Sequence, residues 1–448
     1  MAPPRISNRN FRRRRQLAKR SSFLLKSAVV FLPFGTFMYS LYLSHEKGLL
    51  SSGYEAAGDL VRYDASRTAG KTIAEAKRRI HTVFSTNCRP YQDWQSHSLA
   101  YNHRKMKIAG RLVRLMACDD PNYDLPKNSY ERYRVVRTPD FARQNTTDLY
   151  WPINRPMGLA YWLRGLSDDV DIPAGDDVVI IVDPDQLFLT DKLDMGNITS
   201  GFGTAAKFGL GNTWLTELGL EKFCNGMCDN IQTESARTDY SYGAPYALTA
   251  SDALRFADLW VVILQDINRS GPKGWMQDMY AAILALKRLE IVIDVRKTML
   301  ARTDVINLSW MHVRWDFEPI SGQIPGDVWV AHYCQTYKVG NFSWSKHNHK
   351  ALDIRKCDRS MNMPLPVGLD AVAMENAEGK PFFVRKKAEA LTVAGKHGGG
   401  KLTMLRKSTG EDGTREMDTE VLNAWMLGKT LIPISEAIEA YYDEFCAQ

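Results

Sequence analysis

The first 45 residues contain no aspartate or glutamate; Glu46 is the first acid in the chain. Cysteine is sparse as well, with seven residues in 448, which excludes a small disulfide-stapled scaffold. Cys224 and Cys228 have no second Cys/His pair at ligand spacing, so a structural zinc site finds no support. No internal repeat and no collagen period is present, and 44% hydrophobic against 24% charged residues excludes a wholly disordered chain. A general basic character is also missing. Of the 58 Lys and Arg residues nine lie in residues 1–26, leaving 49 basic against 51 acidic from residue 27 onward. The +7 net charge therefore belongs to the N-terminus, and the body lacks the footprint of a nucleic-acid partner.

Long apolar runs are equally rare. One stands out, SAVVFLPFGTFMYSLYL from Ser27 to Leu43, uncharged and just long enough to span a bilayer. Basic residues crowd its N-terminal side, including Arg12 to Arg15, so the positive-inside rule predicts a single-pass signal anchor over 27–44. Residues 1–26 form its cytosolic tail and the rest of the chain lies on the far side. A cleaved signal peptide fits less well, because the basic leader is long and no clear cleavage site follows. Five N-x-S/T sequons, at Asn145, Asn197, Asn268, Asn307 and Asn341, all follow the anchor, which suits a secretory-pathway lumen. In that oxidising compartment seven cysteines support up to three disulfides with one thiol left over, Cys224–Cys228 being a local pair.

Residues 45–78, polar and Ala-rich, read as a stem. From about 79 to 355, short β-type runs (RIHTVFST, RYRVV, DVVIIV, SYGAPYAL, IVIDV, VWVAHY) alternate with helical patterns over Asp93–Lys107, after Pro156, and from Ser251 and Gly274. This alternation predicts an α/β fold with a mainly parallel sheet flanked by helices. Residues 356–448 form a C-terminal extension, with a Gly-rich basic linker and an amphipathic helical segment to which no chemistry is assigned.

The run Val178 to Val182 has no polar side-chain atom and reads as a central strand buried on both faces, followed at once by Asp183-Pro184-Asp185. Ligands of open α/β sheets collect at the carboxyl ends of such strands. Two hard oxygen ligands there suit Mn²⁺ or Mg²⁺, which neutralises the diphosphate of a nucleotide sugar. The bland alternative is an ordinary turn. A second D-x-D, Asp169-Val170-Asp171, precedes the strand in a loop where turn chemistry explains it.

His332 ends the run beginning at Val328, on the same rim as the Asp pair; the residues alone leave open whether it is a ligand or a hydrogen-bonded core histidine. His347-Asn348-His349 is a rival metal pair in a polar loop, where solvated side chains are expected. Asp278 falls in the first turns of a helix, either orienting an acceptor hydroxyl and stabilising developing positive charge, or simply complementing the helix dipole. Arg155 precedes Pro156 at a helix start, where N–H groups can approach phosphate; its alternative is a surface ion pair. Trp94, Trp151, Trp275, Trp315 and Trp344 are candidate stacking surfaces, although packing is the commoner fate of tryptophan.

Taken together, Trp94-Gln95-Ser96 with Tyr101, Asn154-Arg155-Pro156, Asp183-Pro184-Asp185, Gly274-Trp275 with Asp278-Met279-Tyr280, and His332-Tyr333 resemble, in order and spacing, motifs of the plant-type hydroxyproline O-arabinosyltransferases and their relatives, the peptidyl serine α-galactosyltransferases. The resemblance covers roughly residues 80–350. It implies a GT-A glycosyltransferase domain in a type II Golgi or ER membrane protein, using a UDP-sugar and a secreted peptide acceptor. It further implies that Asp183 and Asp185 bind ribose and metal, that His332 is the third metal ligand, and that Arg155 and Gln95 belong to the nucleotide-sugar site. Gln186 stands where many relatives have His, and Asp278 where they have Glu.

The expectation is a metal-dependent transferase carrying a sugar, arabinose foremost, from a UDP-sugar to peptidyl hydroxyproline. Serine galactosylation is the alternative within the class. Outside it stands a catalytically inactive lumenal protein that binds sugar or peptide.

Overall fold

The computed structural model describes residues 78–144, 150–210, 214–228, 231, 235–236, 239–272, 274, 276–296, 298–302, 328–339, 342–361, 363, 391–394, 401–404 and 419–446. Two units separate at Ala76/Lys77, and the described residues all belong to the second. The expected basic tail, anchor and stem lie outside the described residues. Among those described, no helix is long and apolar enough to cross a membrane.

The unit from Lys77 onward is a mixed α/β structure. Its main sheet has seven strands: β1 (Ile80–Asn87), β2 (Arg111–Ala117), β3 (Tyr133–Thr138), β4 (Val178–Val182), β6 (Phe202–Lys207), β7 (Tyr242–Thr249) and β8 (Val292–Arg296). Their spatial order is β3-β2-β1-β4-β7-β6-β8. The β3, β2, β1 and β4 pairings are parallel, as is β6 with β8, while β7 runs antiparallel to both β4 and β6. The mainly parallel sheet predicted from the alternation is therefore present.

Strand β4 is central because all five of its side chains are apolar and buried. Burying each of these branched side chains contributes about 1.5–3 kcal/mol. Gly110, at φ +82°, precedes β2 where a Cβ would lie 2.0 Å from the Ile80 carbonyl oxygen, so the close start of β1 and β2 requires glycine.

Helix α1 (Pro90–Lys105) follows β1, and α2 (Asn154–Leu163) packs on β1 and β2. Helix α3 (Ala250–Ser270) packs on α2 and on α4 (Gln277–Arg288). Thr249 caps α3, its Oγ1 accepting from the Asp252 N–H, a bond that contributes about 1 kcal/mol.

A second, smaller sheet joins β5 (Gln186–Phe188), β10 (Val330–His332) and β9 (Leu300–Arg302). Over it lies a separate apolar cluster containing Trp94, Tyr333, Tyr337, Trp344, Leu431 and Tyr442. Leu431 and Tyr442 come from α5 (Thr419–Phe445), so the amphipathic segment of the C-terminal extension packs against α1 and β10. Two hairpins complete the described strands: β11 (Thr336–Val339) with β12 (Phe342–Ser345), and β13 (Leu391–Ala394) with β14 (Lys401–Met404).

The cysteines pair as Cys88–Cys118, Cys224–Cys228 and Cys357–Cys446, leaving Cys334 free. Three bridges and one thiol agree with the count, including the local pair. Cys357–Cys446 fastens the end of α5 to the one-turn helix Ile354–Lys356.

Candidate active site

The site is built where β4 ends. Pro184 and Asp185 turn the chain between Asp183 and Gln186, closed by the Gln186 N–H on the Asp183 carbonyl at 3.1 Å. The Gln186 side chain is fully buried: its Oε1 accepts from the Asp183 N–H at 3.1 Å and its Nε2 donates to the Ala244 carbonyl at 3.0 Å. The residue that departs from the family motif thus locks the turn. D-P-D is therefore a turn, and that turn sets the direction of the two carboxylates.

His332 arrives by strand register. β10 pairs antiparallel with β5 so that His332 stands opposite Gln186, and the Tyr333 N–H donates to the Asp185 carbonyl at 3.1 Å. His332 Nε2 then lies 3.2 Å from Asp185 Oδ2 and 3.9 Å from Asp183 Oδ2. One ligand atom from each of the three residues falls within 4.8 Å of the others, the sole such cluster among the described residues. Two carboxylates and an imidazole are hard-to-borderline donors that fit Mn²⁺ or Mg²⁺.

Arg155, in the first turn of α2, ties this cluster to Asp278. Its Nη2 pairs with Asp183 Oδ1 and its Nη1 lies 3.2 Å from Asp278 Oδ2. Asp278 is buried in the first turn of α4, and its backbone N–H donates to the Tyr150 hydroxyl at 3.1 Å. Burial pushes the Asp278 carboxyl above the usual range, partly offset by Arg155. A further cation, Lys346, pairs with Asp185 Oδ2, the same oxygen that faces His332. Burial works against a charged Asp185, but Lys346 and His332 hold it well below the ordinary carboxylate range. Burial likewise opposes charging His332, yet Cys334 and Asp185 raise it to about 10.

Asp183, Asp185, His332, Arg155 and Asp278 are therefore brought together as the sequence predicts. Gln95 is not: it is buried in α1, and its Nε2 donates to the Tyr91 carbonyl one turn back at 2.7 Å, supporting Tyr91 instead of joining the cluster. The second D-x-D is structural. Asp169 pairs with Arg111 at 2.7 Å and accepts from Trp162 Nε1 at 2.8 Å, while Asp171 pairs with Arg79 and Arg111.

In the KHNH turn, His347 is exposed and meets the Tyr91 hydroxyl at 3.3 Å, whereas His349 is half-buried and stacks on Trp344. Trp94 and Trp344 belong to the core; Trp151 carries Arg89 over its ring at 4.4 Å; Trp275 and Trp315 lie outside the described residues. Sequence reasoning missed Lys346, Tyr150 and the locking role of Gln186. Lys346 stands one residue before His347 in the same polar turn.

Residues 80–295 match the family described as "Hydroxyproline O-arabinosyltransferase family N-terminal domain". That segment contains Asp183, Asp185, Arg155 and Asp278, and ends before His332 and Lys346. A peptidyl serine alpha-galactosyltransferase of Arabidopsis thaliana is 25% identical over 296 residues, 62% of this chain and 33% of the relative. Its namesake from Chlamydomonas reinhardtii is 21% identical over 305 residues, 62% of this chain and 37% of the relative. The chain thus spans about a third of the length of these curated relatives. With those motifs in order on one α/β domain, residues 80–295 are similar to the hydroxyproline O-arabinosyltransferase family and to the peptidyl serine α-galactosyltransferases.

Proposed function

We propose that this chain is a divalent-cation-dependent glycosyltransferase of GT-A type that transfers a sugar, arabinose foremost, from a UDP-sugar to a hydroxyproline hydroxyl of a secreted or cell-wall peptide. The observation that carries the reading is the convergence of Asp183, Asp185 and His332 at one rim of a sheet in a domain similar to this family. Serine galactosylation remains the second reading, supported by the names of both relatives.

Asp183, Asp185 and His332 would hold Mn²⁺ or Mg²⁺, which when bound supplies Lewis-acid neutralisation of the UDP leaving group. Arg155 orients Asp183 and brings a guanidinium to the same crevice, adding positive charge where the diphosphate separates from the sugar. Asp278, buried and fixed by Arg155, would orient the attacking hydroxyl or stabilise positive charge developing on the sugar ring. The buried setting strengthens both interactions by excluding water.

For location we propose a type II Golgi or ER membrane protein held by residues 27–44, with the catalytic domain lumenal. Three disulfides suit an oxidising lumen. The sequon asparagine Asn197 is exposed and Asn268 half-exposed, both accessible to a glycan. The test is UDP release by the purified chain with Mn²⁺, across UDP-arabinose and UDP-galactose, with hydroxyproline and serine peptides. We expect turnover with UDP-arabinose that depends on a hydroxyproline peptide. Turnover confined to UDP-galactose and serine peptide selects the second reading, and no turnover with any common UDP-sugar contradicts an enzyme and favours a binding protein.

A further inference from the structure

We propose that Lys346 is an exchangeable cation of the donor site: its ammonium neutralises Asp185 while the cation site is free, and passes to the diphosphate of the nucleotide sugar when a divalent ion takes Asp185. The inference rests on the metal-dependent reading above and adds a residue to it.

The geometry supplies the first half. Lys346 Nζ and His332 Nε2 converge on one oxygen, Asp185 Oδ2. An ammonium in contact with a ligand oxygen and a divalent ion on that same oxygen repel each other strongly in a buried setting, so both do not occupy it together. The ammonium must move, and it starts from a setting in which its side chain is only 14% exposed.

Its backbone cannot follow. Lys346 opens a one-turn helix, Lys346–His349, capped by Ser345, whose Oγ accepts from the His347 N–H at 3.3 Å. The preceding Trp344 is buried against Tyr333 and Tyr337, and the Trp94 indole N–H donates to the His349 carbonyl at 3.3 Å. With both flanks anchored, only the flexible side chain swings, and its reach keeps the ammonium within a few ångströms of Asp185. With the donor bound, a displaced lysine there has an anion within reach. The diphosphate that shares the divalent ion is the anion this site is built to receive, and lysine serves phosphate as a mobile point charge.

Such an exchange has a thermodynamic signature. Lys346 competes with the divalent ion when nucleotide is absent and assists when it is present, so it raises the coupling between the two ligands. Mn²⁺ affinity is read by electron paramagnetic resonance, and UDP affinity by calorimetry at saturating Mn²⁺, on the full chain in detergent. Lys346→Met keeps the buried hydrocarbon and removes the charge. It is expected to bind Mn²⁺ alone roughly tenfold more tightly and UDP roughly tenfold more weakly than the wild type. Lys346→Arg keeps the charge and is expected to stay near wild type in both, so it also serves if the methionine variant fails to fold. A Lys346→Met chain with both affinities unchanged, with both weakened together, or with Mn²⁺ binding weakened overturns the exchange and leaves the metal reading standing; Lys346→Arg behaving as a charge-removal variant overturns it too. A wild-type chain that binds no Mn²⁺ overturns the metal reading itself, and the exchange with it.

Discussion

Asp185→Ala is expected to abolish measurable sugar transfer, a loss of at least about 10³-fold, while the chain stays folded. Asp185 sits in the turn after β4 and its side chain contacts Lys346 and His332, not the apolar core. Its backbone carbonyl, which anchors Tyr333, survives the substitution. Two cations do lose their partner. His332 sheds that burden by losing a proton, and Lys346 by turning its partly exposed ammonium to water, so the stability loss is kept to about 1–3 kcal/mol. UDP release assays with a thermal melt by circular dichroism check both halves. Near-normal turnover contradicts the metal assignment, and a collapsed melt assigns Asp185 to the fold instead.

The largest stability effect is expected from Asp93→Ala. Asp93 and Arg114 form an ion pair at 2.8 Å with each side chain only 1% exposed. Arg114 also donates from Nε to Thr86 Oγ1 at 2.7 Å, and Asp93 accepts from the Tyr123 hydroxyl at 2.6 Å. Truncating the aspartate leaves a guanidinium that cannot be deprotonated, buried without a counter-charge, at a cost of about 3–5 kcal/mol. The urea midpoint should fall with the slope unchanged. The double variant Asp93→Leu with Arg114→Met is expected to recover most of the loss, since a well-packed apolar pair removes both desolvation penalties. A single variant within 1 kcal/mol of wild type contradicts the buried pair.

That same pair shows why part of the sheet could not be read from the sequence. β4 is legible because VVIIV has no polar atom, and β1, β7 and β10 follow from similar apolar runs. β2, RLVRLMA, is interrupted by Arg114, which is buried only because Asp93 on α1 meets it. No local pattern reveals a partner 21 residues away. β6, FGTAAK, is hidden for another reason: its small residues carry weak strand preference and gain their place from the strands on either side.

The site divides in the same way. Asp183 and Asp185 are visible as acids at the end of a buried strand, and His332 as the end of another. That Nε2 meets Oδ2 depends on the register of β10 against β5, fixed by pairing between segments far apart in sequence. Lys346 had no such local mark, since a lysine in a polar turn ordinarily points to water. Its burial follows from the anchoring of the turn by Trp344 and Trp94. The C-terminal helix was legible as amphipathic, while its partner, the cluster around Trp94 and Trp344, was not.

The most direct measurement is a Mn²⁺ titration of the purified chain, followed by electron paramagnetic resonance in the presence of UDP, for the wild type and for His332→Ala. One ion bound per wild-type chain, with affinity lost in the alanine variant, is the result expected if acid and imidazole act on a single ion. Full-strength binding by His332→Ala, or no binding by the wild type, contradicts it.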